Sequence, residues 1–366
     1  MALTRRAFLA VGAVALGTAG GLAGLAGAVS RKGPADQRVA LGDFTLLARA
    51  DPWRLSVIGP AGEMLWQEPA DQTLGYRTTD GQIRRARRLT GFGITGDNSV
   101  QLVAETDDPS GGALSVEIRV FGPRTLRMTV IPDTASQVAS MVGAFVSPSN
   151  ERFVGLGERF DGVNQRGRVV DMWADDRRVA GYGPSTYAPI PLLLSSRGYS
   201  FALERFERSK FDLAASKADR WSWQQDAPAA SIVLTHGPSL KDLMTRNAEI
   251  SGLPPLPPPW LFGVWKTSVG GQTQVVAEMR RLRDLKIPVS AVFAFDAVDS
   301  EANLGWPAVT FAGREAGPYP DPRAFTDTLH GLGFKVLNYF TADFHLDRRN
   351  YTEPASHGFL VKRQDG

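Results

Sequence analysis

The sequence contains no cysteine, which excludes disulfides, thiolate metal sites and a cysteine nucleophile. Histidine is scarce. His236, His330, His345 and His357 are the only four; they show no metal-ligand spacing, and no Ser/His/Asp triad can be picked out around them. An excess of one charge is missing too: 41 Lys and Arg stand against 38 Asp and Glu, a formal +3, so the pI near 9.2 reflects a thin surplus. No nucleic-acid partner is expected. Beyond the first thirty residues no uncharged apolar run is long enough to span a bilayer. What is present is ordinary. With 43% hydrophobic and 22% charged residues, 38 Gly and 24 Pro, a disordered or fibrous chain is excluded, and 366 residues suffice for two domains with separate cores.

The N-terminus reads as an address. Thr4-Arg5-Arg6-Ala7-Phe8-Leu9 is followed by Ala, Val, Leu and Gly without charge, and Ala26-Gly27-Ala28 is an A-x-A cleavage site. The paired Arg5 and Arg6 resemble the twin-arginine export signal. Residues 1–28 are expected to be this signal peptide, cleaved after Ala28, with the product extracellular, periplasmic or attached to the cell envelope. The alternative is an uncleaved membrane anchor, weakened by the six glycines of the apolar stretch. Loss of Arg5 and Arg6 brings the net charge from +3 to +1, and no stable membrane insertion is expected after cleavage.

From about residue 38 to 234 the apolar residues alternate, most clearly in Leu114, Val116, Ile118 and Val120, then Leu126, Met128 and Val130 across the turn Gly122-Pro123. Period two marks half-buried strands. Further strands are expected at 44–49, 53–58, 100–104, 191–194 and 231–234, so residues 29–253 read as an antiparallel β-sandwich. Arg84, Arg85, Arg87 and Arg88 are expected in a solvated loop. Gly155-Leu156-Gly157 is a weak phosphate-loop candidate, since no helical pattern follows it.

A proline-rich segment, Leu253-Pro254-Pro255-Leu256-Pro257-Pro258-Pro259, marks a boundary. Beyond it the pattern becomes strand at 261–266, helix carrying Val275, Met279, Leu282 and Leu285, strand at 289–295, helix at 325–332 and strand at 334–340. That order implies a parallel sheet, an α/β barrel or a doubly wound fold. Residues 254–366 hold about three βα units, whereas a complete eight-stranded barrel takes about 250 residues.

In a barrel the working side chains stand at the C-terminal ends of strands. Candidate places are Trp265-Lys266-Thr267-Ser268-Val269-Gly270-Gly271, Asp296 with Asp299 nearby, and Asp343 with His345. Asp296 ends an apolar strand, so its carboxylate either accepts hydrogen bonds from a hydroxyl-rich ligand or caps a loop. Trp173, Trp260, Trp265 and Trp306 lie near loops, where an indole stacks on a sugar or fills a core.

Six motifs in order, the first made of three pieces, then carry a resemblance. Gly155-Leu156-Gly157-Glu158-Arg159-Phe160, Asn164-Gln165-Arg166-Gly167 and Met172-Trp173-Ala174-Asp175-Asp176 resemble a segment of the N-terminal sandwich of glycoside hydrolase family 31. Ile190-Pro191-Leu192-Leu193-Leu194 through Tyr199 resembles that domain's next strand. Gly252-Leu253-Pro254 through Trp260-Leu261-Phe262-Gly263-Val264-Trp265 resembles the start of the catalytic barrel. Lys286-Ile287-Pro288 to Asp296, Tyr319-Pro320-Asp321-Pro322 and Leu332-Gly333-Phe334-Lys335-Val336 follow.

The resemblance implies a galactose-mutarotase-like β-sandwich followed by the first part of a (β/α)8 barrel, and retaining hydrolysis of O-glycosyl bonds in α-linked oligosaccharides or glycosides, with no cofactor or metal. Retention uses two carboxylates, a nucleophile and an acid/base; in the family they end barrel strands four and six, so both are expected beyond Gly366 and the chain as written is expected to be inactive. Asp296 matches the strand-two residue that binds sugar hydroxyls, Asp176 an acidic residue on a sandwich loop reaching over the pocket, and Trp265 lies in the strand-one segment. Phe295-Asp296-Ala297-Val298 lacks the aromatic found there in many members, and Ser268-Val269-Gly270-Gly271 is similar to members acting on sulfoquinovosides; sugar, linkage and oligomeric state stay open. The alternative is a non-catalytic carbohydrate-binding or scaffold protein of the same family.

Overall fold

Alternating side chains make most of the first unit. Along residues 99–106 Val100, Leu102, Ala104 and Thr106 are buried while the residues between them are half-buried, the period-two signature of a strand with one face in a core. The computed structural model describes residues 34–96, 98–174, 186–294, 319–338 and 349–362. The chain divides into two units, Met1–Leu253 and Pro254–Gly366.

The described strands of the first unit are β1 (Gln37–Leu41), β2 (Phe44–Arg49), β3 (Arg54–Ile58), β4 (Met64–Gln67), β5 (Gly75–Thr78), β6 (Ile83–Gly96), β7 (Ser99–Thr106), β8 (Ala113–Gly122), β9 (Thr125–Pro132), β10 (Val138–Val146), β11 (Phe153–Gly155), β12 (Val169–Met172), β13 (Leu192–Ser195), β14 (Tyr199–Leu203), β15 (Ser209–Asp212), β16 (Arg220–Gln225) and β17 (Ala230–His236). Strands β1 to β4 form an antiparallel meander. The other thirteen form one ladder in the order β11-β13-β14-β17-β9-β8-β7-β6-β5-β10-β16-β15-β12.

That ladder folds over on itself through β6. Its first residues pair with β5 and the rest with β7, and register shifts between Ala86 and Arg88 and between Leu89 and Gly91 are bulges that bend a 14-residue strand. The two halves then face each other. Phe201 of β14 lies 5.0 Å from Trp221 of β16 and 6.0 Å from Phe145 of β10, although these strands are distant in the ladder. Trp66 of β4 stacks on Phe145 at 4.1 Å. Phe145, Phe201, Phe211, Trp221 and Trp223 are all buried, so an aromatic cluster fills the sandwich.

The arginine cluster, expected in a solvated loop, is instead the start of β6. Acids on the adjoining chain remove the like-charge repulsion: Arg87 pairs with Asp107 at 2.6 Å, Arg88 with Glu105, and Arg84 approaches Asp108 at 4.0 Å. Helix α1 (Leu240–Ser251) closes the unit; it is capped by Ser239, whose hydroxyl accepts from the Asp242 amide, and buries Leu243.

In the second unit a 3-10 turn, Pro259–Phe262, precedes β18 (Val264–Ser268), so this strand starts later than the apolar run suggests. Helix α2 (Gly271–Asp284), β19 (Val289–Ala294), α3 (Pro322–Gly331), β20 (Lys335–Asn338) and α4 (Arg349–Ser356) follow. Strands β18, β19 and β20 are parallel and adjacent in that order. Val275 and Met279 of α2 and Phe325 and Leu329 of α3 pack with Val292 and Ala294 into a separate core, as βα units do when helices cover one face of a parallel sheet. The fold is thus a β-sandwich followed by part of an α/β barrel, which is not closed among the described residues. No described helix is long and apolar enough to cross a membrane.

Candidate active site

Register aligns the C-terminal ends of the three parallel strands: Ser268 pairs with Ala294, and Ala294 with Asn338. The candidate carboxylate Asp296 follows Ala294 by two residues, but it lies outside the described residues. So do Asp176, Asp299, Asp343, His345 and Trp306, and the signal residues Arg5, Arg6 and Ala28. Trp265 is described. It sits in β18 opposite Ala291 of β19, three residues before the strand end, 46% exposed, and it stacks on Trp260 with ring centroids 6.0 Å apart.

Alternation separates the two faces of β18. Lys266 and Ser268 turn toward α2, where the Lys266 ammonium lies 3.0 Å from Glu278 Oε1 and the Ser268 hydroxyl donates to Oε2; Trp265 and Thr267 take the opposite face. The Ser268 hydroxyl and then the Lys266 ammonium hold the Glu278 carboxyl below the usual carboxylate range. Glu278 is therefore an anion with its lone pairs engaged, suited to fixing α2 on β18 and unsuited to giving a proton at neutral pH. A cavity of about 510 Å³ opens here, lined among others by Lys266, Ser268, Gln274, Glu278 and Arg281. It lies between β18 and α2 and reaches the C-terminal end of the strand at Ser268 and Val269. The sequence pointed here through the candidate segment Trp265 to Gly271, but gave no sign of the α2 residues Glu278 and Arg281.

The sandwich motifs prove to be architectural. Gly155, Leu156 and Gly157 have φ of 101°, 64° and 83°, a left-handed run that glycine adopts at little cost. A Cβ on Gly157 would lie 2.0 Å from the Ala188 carbonyl oxygen. The run lets the Leu156 amide reach the Leu192 carbonyl at 2.8 Å and buries the Leu156 side chain. Asn164 Oδ1 accepts from the Phe153 and Arg166 amides, and the Arg166 guanidinium donates to the Ser147 hydroxyl and the Ala218 carbonyl. Together these bonds fix the stretch from β11 to β12, beyond which Asp176 follows. Among the described residues no group of three or more His, Asp or Glu side chains is placed to hold a metal ion.

Comparison with known proteins matches these two units in order. Residues 48–212 match the glycosyl hydrolase 31 N-terminal galactose mutarotase-like domain, and residues 254–366 the glycosyl hydrolases family 31 TIM-barrel domain. The chain is 27% identical over 222 residues to alpha-xylosidase XylQ of Lactiplantibacillus pentosus, covering 59% of this chain and 28% of that protein. It is 30% identical over 208 residues to a 1,3-alpha-isomaltosidase of Kribbella flavida, covering 51% and 29%. The matched stretches thus span less than a third of these relatives. Among solved structures, a family 31 sulfoquinovosidase from E. rectale in complex with an aza-sugar inhibitor superposes with a TM-score of 0.64 at 17% identity, covering 90% of this chain and 52% of that one. A family 31 dextranase from Flavobacterium johnsoniae gives 0.53 at 16% identity, covering 90% and 41%; both show the shared fold. With the sandwich and the barrel strands each matched in sequence and in the same order, the chain belongs to glycoside hydrolase family 31.

Proposed function

We propose that the chain serves the retaining hydrolysis of α-linked glycosides, with gluco- or xylo-configured oligosaccharides as the substrate class. The observation that carries this is the two-part family match, sandwich then barrel, alongside relatives named for α-xylosidase and α-isomaltosidase activity. In this reading Asp296 accepts hydrogen bonds from sugar hydroxyls just past the aligned strand ends, and Asp176 reaches the same sugar from the sandwich. In this reading the nucleophile and the acid/base end barrel strands four and six, beyond the three parallel strands among the described residues. Export by the twin-arginine route, with cleavage after Ala28, is part of the proposal and rests on Arg5, Arg6 and the Ala26-Gly27-Ala28 site.

The test is direct. Residues 29–366, purified and incubated with aryl α-glucosides and α-xylosides, are expected to give no turnover above a buffer blank. Turnover would refute the assignment of the working carboxylates to strands four and six.

A further inference from the structure

The outer face of the sheet edge formed by β12, β15 and β16 is set by strand alternation. Val170 and Met172 are buried, so Asp171 and Trp173 turn outward. On β15 the buried Ser209 and Phe211 leave Lys210 outside, with the exposed Arg208 just before the strand, and on β16 the buried Trp223 leaves Gln224 outside. Register gathers them: Met172 pairs with Ser209, Asp171 with Lys210, and Lys210 with Gln224.

Trp173, immediately past β12, is 55% exposed. The Arg208 guanidinium lies over its ring at 5.7 Å, within cation–π range. Arg208 is in turn held by Asp171, its Nε donating to Oδ1 at 3.1 Å and Nη2 to Oδ2. The indole is thus oriented by a fixed cation and still leaves more than half of its surface to water. Hydrating that surface is unfavourable, and a rigid aromatic loses little conformational entropy when it takes a ligand.

A pyranose ring matches this chemistry. It offers an apolar C–H face to an aromatic ring, while hydroxyls around its rim both give and accept hydrogen bonds. Asp171 accepts, Arg208 and Lys210 donate, and Gln224 does both. A nucleic acid or an anionic membrane would need a one-sign cationic face, which Asp171 and the exposed Asp226 deny. A protein hot spot would be ringed by packing groups that exclude water, whereas the described group over the Trp173 ring is the Arg208 guanidinium, itself paired with Asp171.

We propose that the β12–β15–β16 face is a saccharide-binding platform, with a pyranose of an α-linked oligosaccharide stacked on Trp173 and hydrogen-bonded by Asp171, Arg208 and Gln224. The choice of α-linked sugars rests on the function proposed above; the platform itself does not depend on hydrolysis.

The experiment is calorimetric titration of the purified protein with isomaltotriose, maltoheptaose and a xyloglucan oligosaccharide, supported by affinity electrophoresis in dextran. Wild type is expected to bind at least one of them in the millimolar range. Trp173→Ala should weaken that binding about tenfold, the scale of one lost aromatic contact. Trp173→Phe should restore most of it, and the unfolding midpoint should be unchanged by either substitution. The proposal is overturned if wild type binds none of these sugars, if Trp173→Ala binds like wild type, or if Asp296→Asn abolishes binding that Trp173→Ala leaves intact. Hydrolysis plays no part in the readout, so failure of the platform and failure of the hydrolase reading are distinguishable.

Discussion

Glu68 shows how far a single side chain can bias the sandwich. Its carboxylate is buried and accepts from the Leu55 amide at 2.7 Å and the Leu74 amide at 2.6 Å, tying β3 to the chain leading into β5. Burial outweighs these two bonds and pushes its pKa from 4.5 up to about 7. The folded protein therefore keeps a proton that the unfolded chain releases from about pH 4.5 upward. Stability from this group is greatest below pH 4.5, falls as pH rises from there to about 7, and then levels off, a loss of roughly 3 kcal/mol across that window. Urea midpoints measured from pH 5 to 8 should show the decline in wild type. In Glu68→Gln the slope should flatten, at a lower starting stability because an amide NH2 then faces a backbone N–H. Gly157 makes the second residue-scale case: Gly157→Ala combines a left-handed φ with a carbonyl oxygen 2.0 Å from the new Cβ, and should cost about 3 kcal/mol in the same assay. In the sequence, Gly155-Leu156-Gly157 read as a weak phosphate-loop candidate and as part of a family motif; that it is a backbone crossing rather than an anion cradle depended on the Ala188 and Leu192 carbonyls, more than thirty residues away in sequence.

Among the elements, strands carried by alternation were legible and those carried by cross-strand pairing were not. β8 and β9 could be read from Leu114 to Val130 because one face is apolar and the other is not. β6 could not, since its arginines are tolerated only beside Asp107, Asp108 and Glu105, and nothing local specifies that register. Helix α1 went unread although Ser239 and Asp242 form a capping pair. Magnitudes separate the two kinds of support. The Arg87 and Arg88 side chains are each 53% exposed, so Arg88→Ala should leave the denaturation midpoint almost unchanged, and any small shift should shrink further in salt. Phe201 touches Phe145, Phe211, Trp221 and Trp223 from the opposite layer. Phe201→Ala should cost about 3–5 kcal/mol, and a guanidinium denaturation series that found the two substitutions equivalent would contradict the sandwich packing described here.

At the scale of the whole molecule the two units differ in how completely their sheets are covered. In the sandwich a folded-over ladder buries aromatic residues between its own halves. Among the described residues of the second unit the helices cover one side of β18, β19 and β20, while on the other side of β18 Trp265 is 46% exposed and Thr267 is exposed too. Parallel strands are ordinarily buried on both faces, so β18 has less apolar contact holding its backbone amides closed than β8 or β9 has. This contrast was partly legible: the change from period two to βαβ order after the proline-rich segment was visible, but which face of β18 lacks cover was not, because alternation alone does not say where a helix will dock. Local opening free energy follows buried apolar contact, and native-state hydrogen exchange reads it residue by residue. The amides of Trp265 to Ser268 should exchange well before those of Leu114 to Val120 at the same pH and temperature, and adding denaturant should open the parallel sheet while the sandwich ladder still protects its amides. Equal protection in the two sheets would mean that the exposed face of β18 is no weak point, and that the two units unfold as one cooperative body despite their separate cores.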